Sequence, residues 1–449
     1  MKEKGIVPYF LIMKRYLSAV VAVAMSCEFA HAQSGTNSPY SQYGLGILSD
    51  QAAGFNRGMN GLGLGFHEHN QINFSNPASY SSLDSLTFIF DAGVSGQITS
   101  FKEGGNKKNA QNADFEYVVA GFRAFKHLGV SFGLVPFTNI GYSYASTQTI
   151  KGDQDNRKAT NTYSGSGGIH QVYLGLGWQP LAGFSIGVNG SYLYGNYTKT
   201  VVNGYSDSYV NTLTKQYTAD VRSYKVDFGL QYTARLSKKD QLTLGLTYGL
   251  GHKIGGKPTM EIISNNSQSG VADTTSFPQT GQANLNLEIP NTIGAGLMYD
   301  HANAVKIGLD YNLQKWSSVK APSYETSGSN ATDYSMRKGF YKNRHKFTLG
   351  AEICPQEYGM KFWQRVHYRA GVSYATPYYI INSSDGPKEI SASIGFGIPI
   401  ANKWNNRSLL NVSCQWVQQS AKNFITENTF RINIGLTFNE RWFAKWKVE

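Results

Sequence analysis

The chain has 449 residues and a formal net charge of +12; 13% of it is aromatic and only 16% charged, with 48 Gly, 29 Tyr and a mean hydropathy of -0.34. No apolar run of about 20 residues occurs beyond the N-terminus, which excludes a bundle of membrane helices. No run of five or more basic residues occurs either, so nucleic acid is a poorer partner for the positive charge than anionic lipid headgroups or an anionic ligand.

Residues 1–32 read as a signal peptide: Lys14 and Arg15 form a basic start, 16–26 an apolar core, and Ala30-His31-Ala32 a small-residue cleavage site before Gln33. Met1 and Met13 are both open as initiators. Cys27 offers a rival lipidation site, but Ala24-Met25-Ser26 lacks the large aliphatic residue with which such a site begins. The leader carries four basic and two acidic residues, so the mature chain keeps +12 less 2, or +10. Cys354 and Cys414 then remain, on strands that are not neighbours, which argues against a disulfide framework.

Residues 33–85 are rich in Gly, Asn, Ser and Tyr and do not alternate well enough to cross a membrane. The expectation is a plug, or hatch, inside a barrel formed by 86–438, with 439–449 as a periplasmic tail. Fourteen strands are predicted, near 86–100, 114–125, 128–144, 170–179, 184–200, 223–236, 241–251, 284–299, 304–315, 345–353, 366–375, 389–400, 408–418 and 429–438. In the last, Phe430, Ile432, Ile434, Leu436 and Phe438 share one face while Arg431, Asn433, Gly435 and Thr437 share the other. The seventh sets Leu242, Leu244, Leu246, Tyr248 and Leu250 against Thr243, Gly245, Thr247 and Gly249, and the ninth sets Val305, Ile307, Leu309, Tyr311 and Leu313 against Lys306, Gly308, Asp310, Asn312 and Gln314.

Short connections at 126–127, 180–183, 237–240, 300–303 and 401–407 alternate with long ones at 145–169, 201–222, 252–283 and 316–344. Periplasmic turns and extracellular loops of an all-β, fourteen-stranded antiparallel transmembrane barrel alternate in this way. The exception is the turn at 354–365, where Phe362 and Trp363 are expected at the membrane interface. Trp178, Trp316, Trp404, Trp416 and Trp442 are expected in the interfacial girdles. Cys414 is expected to face lipid. The inward charges are Lys225, Asp227, Lys306, Asp310, Lys346, Glu352, Arg369 and Arg431, and the expectation is that most pair across neighbouring strands, because an unpaired buried charge is costly.

Several short motifs, in order, resemble those of the FadL/TodX family of outer-membrane transporters for hydrophobic compounds. Asn76-Pro77-Ala78 resembles the NPA element of its hatch, and Asp310-Tyr311-Asn312-Leu313-Gln314-Lys315-Trp316-Ser317-Ser318 its tryptophan-serine strand end. Ile289-Pro290-Asn291-Thr292 and Gly371-Val372-Ser373-Tyr374-Ala375-Thr376-Pro377 resemble two further strand signatures, while the Ser38-Pro39-Tyr40-Ser41 block and the tail depart from the family. The resemblance implies a passive carrier of long-chain fatty acids or aromatic hydrocarbons, with lateral exit through the wall. Such a barrel would meet outer-membrane lipids and lipopolysaccharide, an apolar ligand, and the barrel-assembly machinery during insertion.

Val135-Pro136-Phe137-Thr138-Asn139 is the candidate gap, since proline cannot donate to the strand ladder; a simple bulge is the alternative. Phe55, Met59, Leu62, Leu64, Phe66, Ile72 and Phe74 are candidates to line an apolar path, or to pack the plug on the wall. His67-Glu68-His69 makes a poor metal site without a third ligand, and no cofactor is expected. Gly165-Ser166-Gly167 is only a fragment of a nucleophile motif, with His170 near and no matched acid, so no enzyme is expected. The rival function is an adaptor that grips a periplasmic or secretion-system protein. A carrier should show a continuous apolar track from loops to Pro136, and an adaptor a polar or plugged lumen.

Overall fold

The computed structural model describes residues 35–150, 157–207, 209–266, 268–279, 285–327, 331–357, 359–400 and 408–440, with 326, 327 and 331–333 described by backbone alone. The leader, the start at Gln33, the turn at 401–407, Trp404, Trp442 and most of the tail lie outside these residues.

Fourteen strands make the wall: β1 Phe88–Glu103, β2 Asn106–Phe125, β3 Leu128–Thr149, β4 Lys158–Leu181, β5 Phe184–Tyr205, β6 Thr212–Arg235, β7 Asp240–Gly249, β8 Thr292–His301, β9 Val305–Gln314, β10 Arg344–Ile353, β11 His367–Ala375, β12 Lys388–Pro399, β13 Leu409–Ser420 and β14 Thr426–Glu440. Each pairs antiparallel with the next, and β1 closes on β14 from Phe88↔Glu440 to Lys102↔Thr426. Three of the sheet's seventeen strands are attachments: Ile47–Leu48 from the plug, and the loop hairpin Thr259–Asn265 with Ala272–Phe277.

Alternation puts apolar side chains outward all round. Leu244, Leu246, Ile307, Leu309, Ile394, Phe430, Ile432 and Ile434 are exposed, while Thr243, Lys306, Asp310 and Asn433 on the other face are buried. Water-exposed rows of this kind would be untenable, so the belt faces lipid and the protein is a membrane-spanning β-barrel. Trp178 and Trp416 stand outward on it, and the half-exposed Cys414 pairs with the outward Ile394 and Ile432.

Three expectations change. The strands on one side run far past their predicted ends, so the loop expected at 201–222 is a six-residue turn between β5 and β6. The eighth strand is not continuous over 284–299: Asn286–Ile289 pairs with His252–Gly256, and β8 starts only at Thr292, beyond Pro290, which has no N–H to donate. Trp316 is no girdle residue. It is 1% exposed, turned inward by a 3₁₀ turn Trp316–Ser318 and caged by Tyr341 and Tyr378 at 5.5 and 4.8 Å.

From Gly35 to the start of β1 the chain packs on the inward faces of the wall. Its short helical turns, Pro39–Gln42, α1 Gly54–Arg57 and Pro77–Ser82, begin respectively at the capping Ser38, at Ala53 and at the capping Asn76. Phe55, Met59, Leu62, Phe66 and Ile72 are 0–1% exposed and share one core with the wall residues Tyr117, Val119, Tyr173 and Met298. Pro77 and Ala78 lie flat on β4 to β6; a Cβ on Gly187 would fall 2.3 Å from the Pro77 carbonyl carbon, so only glycine allows the approach.

Candidate functional site

Two neighbouring strands of the wall, β2 and β3, part along a seam. Between β2 and β3 the pairing runs from Phe125↔Leu128 only to Val118↔Leu134. Beyond it, β2 stays paired with β1 and β3 with β4, but not with each other among the described residues. Two register shifts flank this point, leaving Glu116 as an extra residue opposite the Gly93/Val94 step and Phe137 as one between Pro136 and Thr138. Pro136 therefore marks both a bulge and the end of a ladder.

The plug supplies substitutes for the missing ladder. Ile47 and Leu48 pair with Asn139 and Thr138 as a two-residue strand. Ser49 N–H donates to the Phe137 carbonyl at 3.1 Å, Gln51 Nε2 to the Pro136 carbonyl at 3.0 Å, and Ser41 Oγ to the Gly141 carbonyl at 3.1 Å. On the facing strand, Asn37 Nδ2 reaches the Gln111 carbonyl at 3.2 Å, and Asn139 Nδ2 crosses the seam to Asp114 Oδ2 at 3.1 Å.

The same strap is held by charge. Arg57 in α1 pairs with the bulged Glu116 at 2.8 Å, both nearly fully buried, and Ser95 Oγ donates to that carboxylate at 2.5 Å. Asp50 meets Lys346 at 3.2 Å and Arg431 at 3.7 Å. Burial alone would raise the Asp50 carboxyl, yet Lys346, Arg431 and Arg57 hold it below the usual carboxylate range. Of the predicted inward charges, Lys306 meets Glu68 in the plug, Asp310 Oδ2 accepts from Gly63 and Leu64 N–H at 2.7 and 2.9 Å, Arg369 meets Glu352 at 2.5 Å, and Lys225 meets Asp227. Four of the eight thus reach the plug, a partner that alternation within strands does not reveal.

Behind the seam lies a cavity of about 210 Å³, between the plug and a tyrosine-rich cluster on the loop side. Leu48, Leu64, Phe74 and Phe137 line it beside Asp50, Lys225, Asp227, Asp310, Arg344 and Lys346. Leu64, Phe74 and Phe137 are thus the predicted path residues found there. Phe55, Met59, Leu62 and Phe66 are plug core instead, Asn76 Nδ2 bonds the Leu64 carbonyl at 2.8 Å, and Pro77, Ala78 and Pro136 are buried away from the cavity. No continuous apolar track from loops to Pro136 is formed among the described residues. His67 and His69 part company: His67 bonds Gln231 at 2.7 Å, and burial lowers its pKa; His69 bonds Asp84 at 3.0 Å, which raises its own. Ser166 sits mid-strand in β4, and His170 packs on Tyr194 at 5.8 Å. Asp50, Arg57, Glu68 and Glu116 escaped the sequence reading because three lie in the plug, where no periodicity assigns a face, and the fourth is a bulge residue.

The barrel resembles solved structures of FadL-type channels at low identity. A Pseudomonas aeruginosa FadL homologue matches with a TM-score of 0.59 at 13% identity, covering 87% of this chain and 99% of that one. The Ralstonia pickettii toluene transporter TbuX (0.56, 13%, 86% and 98%) and the Pseudomonas putida toluene transporter TodX (0.56, 12%, 89% and 100%) match alike. No curated protein matches the sequence. The family model described as BamG matches residues 12–449, and the chain belongs to the BamG family.

Proposed function

We propose that the protein is an outer-membrane channel, exported by its leader, through which small hydrophobic molecules pass passively and leave sideways between β2 and β3. One observation carries this reading: the unladdered seam between β2 and β3 stands directly before the cavity, with Phe137 of β3 and the plug residue Leu48 that pairs beside it both lining that cavity. Unpaired strand edges are costly in lipid, so a barrel that keeps them needs a use for them. Two channels of the same fold are toluene transporters, which supports the ligand class.

The test is to bridge the seam. Cysteines at Asp114 and Asn139, in a Cys354→Ala, Cys414→Ala background, are joined by a short reversible thiol cross-linker, and uptake of toluene and of a long-chain fatty acid into proteoliposomes is followed. Bridging should stop uptake and reduction restore it; undiminished uptake through the bridged barrel would reject the lateral route. A protein-binding role is the second reading, favoured by the charged residues in the cavity lining and by the edge of Ala272–Phe277 that is unpaired among the described residues, five of whose six residues are exposed. It would replace the first if no apolar ligand bound and a protein partner co-purified.

A further inference from the structure

On the tall side the outward belt runs nine residues, from Trp178 to His170 on β4, which pair across to Ile186 and Tyr194 on β5, and these in turn to Leu230 and Arg222 on β6. That length crosses a bilayer. The three strands then continue to Lys158, Tyr205 and Thr212, so their outward faces rise through the headgroup layer and beyond it.

At that border a run of rings crosses the outward face. His170 packs on Tyr194 at 5.8 Å and Tyr194 stacks with Tyr192 at 6.2 Å; Tyr192 stands directly opposite Tyr224, which stacks on His252 at 4.2 Å. Tyr192 and Tyr224 are 52% and 56% exposed. Aromatic residues are ordinary at a membrane border, and Tyr248 stands there on the short side, where its strand stops one residue later. The tall side differs in what lies above the rings. Ser166, Thr198 and Thr218 sit side by side across β4, β5 and β6, on the same outward face as Tyr192 and Tyr224, and none is charged. Arg222, opposite Tyr194, pairs with Asp220 at 3.3 Å and adds no net charge.

A phosphate headgroup calls for unpaired cations, and a protein partner for an apolar centre; here the apolar surface is the lipid belt itself. Exposed rings directly above that belt, topped by uncharged hydroxyls, suit a sugar whose chains already lie in the bilayer. We propose that the tall side binds a glycolipid. Its acyl chains lie on Val172, Leu174 and Phe228, its sugar rings stack on Tyr192, Tyr194 and Tyr224, and its outer hydroxyls bond Ser166, Thr198 and Thr218. The site continues the lipid-facing belt on the outside of the barrel and is independent of the transport reading.

Native mass spectrometry of the full-length barrel in an amine-oxide detergent, offered diglucosyl dioleoylglycerol, dioleoyl phosphatidylglycerol and dioleoylglycerol at equal concentration, compares heads on identical chains. The glucolipid should bind about tenfold more tightly than the other two. Tyr192→Leu with Tyr224→Leu should lower glucolipid binding about tenfold and leave phosphatidylglycerol unchanged. Tyr192→Phe with Tyr224→Phe, which keeps the rings, should retain most of the preference even where the leucine pair fails to assemble, and Tyr248→Leu on the short side should retain all of it. Phosphatidylglycerol or dioleoylglycerol binding as tightly as the glucolipid overturns the proposal. So does a leucine pair that weakens all three lipids alike, a phenylalanine pair that abolishes the preference, or a Tyr248→Leu that matches the leucine pair.

Discussion

On one side of the barrel β7 to β11 run 9 or 10 residues each, and on the other β2 to β6 run 20 to 24. About 9–11 tilted residues suffice to cross a bilayer, so the short side is as long as lipid demands and the tall side stands well clear of it. The outward belt is the same on both: Leu244 and Leu309 on one, Leu174 and Phe228 on the other. The seam, both mid-wall bulges and the added hairpin on β6 belong to the tall side alone. There the strands can lean apart, because the plug supplies partners for amides and carbonyls that the seam leaves without a ladder. The short side has no such freedom, and Lys306 and Asp310 on β9 with Lys346 on β10 are used to hold the plug.

The largest effect should come from the pair that ties the plug to the tall side. Arg57→Met leaves Glu116 buried and unpaired, and should cost about 3–5 kcal/mol, read as the urea midpoint of unfolding from lipid vesicles; Arg57→Met with Glu116→Gln should recover much of it. A loss no greater than that of a surface change would mean the plug is not held through the seam. Next comes Leu309→Arg in the short wall, expected to cost about 2–4 kcal/mol if the residue sits near the midplane. Tyr205→Arg, at the far tip of β5, should stay within about 0.5 kcal/mol. Equal penalties at Leu309 and Tyr205 would erase the distinction between a lipid-set and a free-standing side.

The short side was the legible one. Apart from β8, which starts eight residues late beyond Pro290, its predicted strands fall within a few residues of those observed, since hydrophobic alternation is enforced by lipid over their length, as in Ile307, Leu309 and Tyr311. On the tall side alternation fades into Asn106-Lys107-Lys108-Asn109, where neither face is apolar, so those ends read as loop. Pro136 announced a defect through its missing donor, but its other half, the extra Glu116, follows only from the register of β1 and β2. Trp316 was misplaced because a tryptophan at a strand end looks the same whether it turns to lipid or to an inward cage of tyrosines.

A smaller effect tests the seam itself. Pro136→Ala changes one donor in a bulge that the opposite strands already frame, so stability should move by no more than about 1 kcal/mol, while uptake of an apolar ligand falls severalfold as β3 straightens. Unchanged uptake would assign Pro136 to shaping β3 alone.

The smallest effect lies where the plug joins the wall, and its sign separates two neighbouring histidines. His69 has its pKa raised by its hydrogen bond to Asp84, against the opposing pull of burial and helped by the Asp84 and Glu68 charges. A raised pKa means that the contribution is complete below the unfolded value of about 6.5 and is lost as pH rises through the folded value. Its side chain is 39% exposed, so screening keeps the effect small. His67 runs the other way: burial lowers its pKa, and neutral it keeps its bond to Gln231 across neutral pH. The Asp84 amide, which donates to the His69 carbonyl at 3.1 Å, reports on the tie. Its hydrogen exchange, corrected for intrinsic rate, should quicken as pH rises above about 6.5 in the wild type. His69→Gln should flatten that profile and His67→Gln should leave it, whereas a wild-type profile already flat would show that the plug is anchored by Arg57 and Asp50 on the seam side, with no help from this corner.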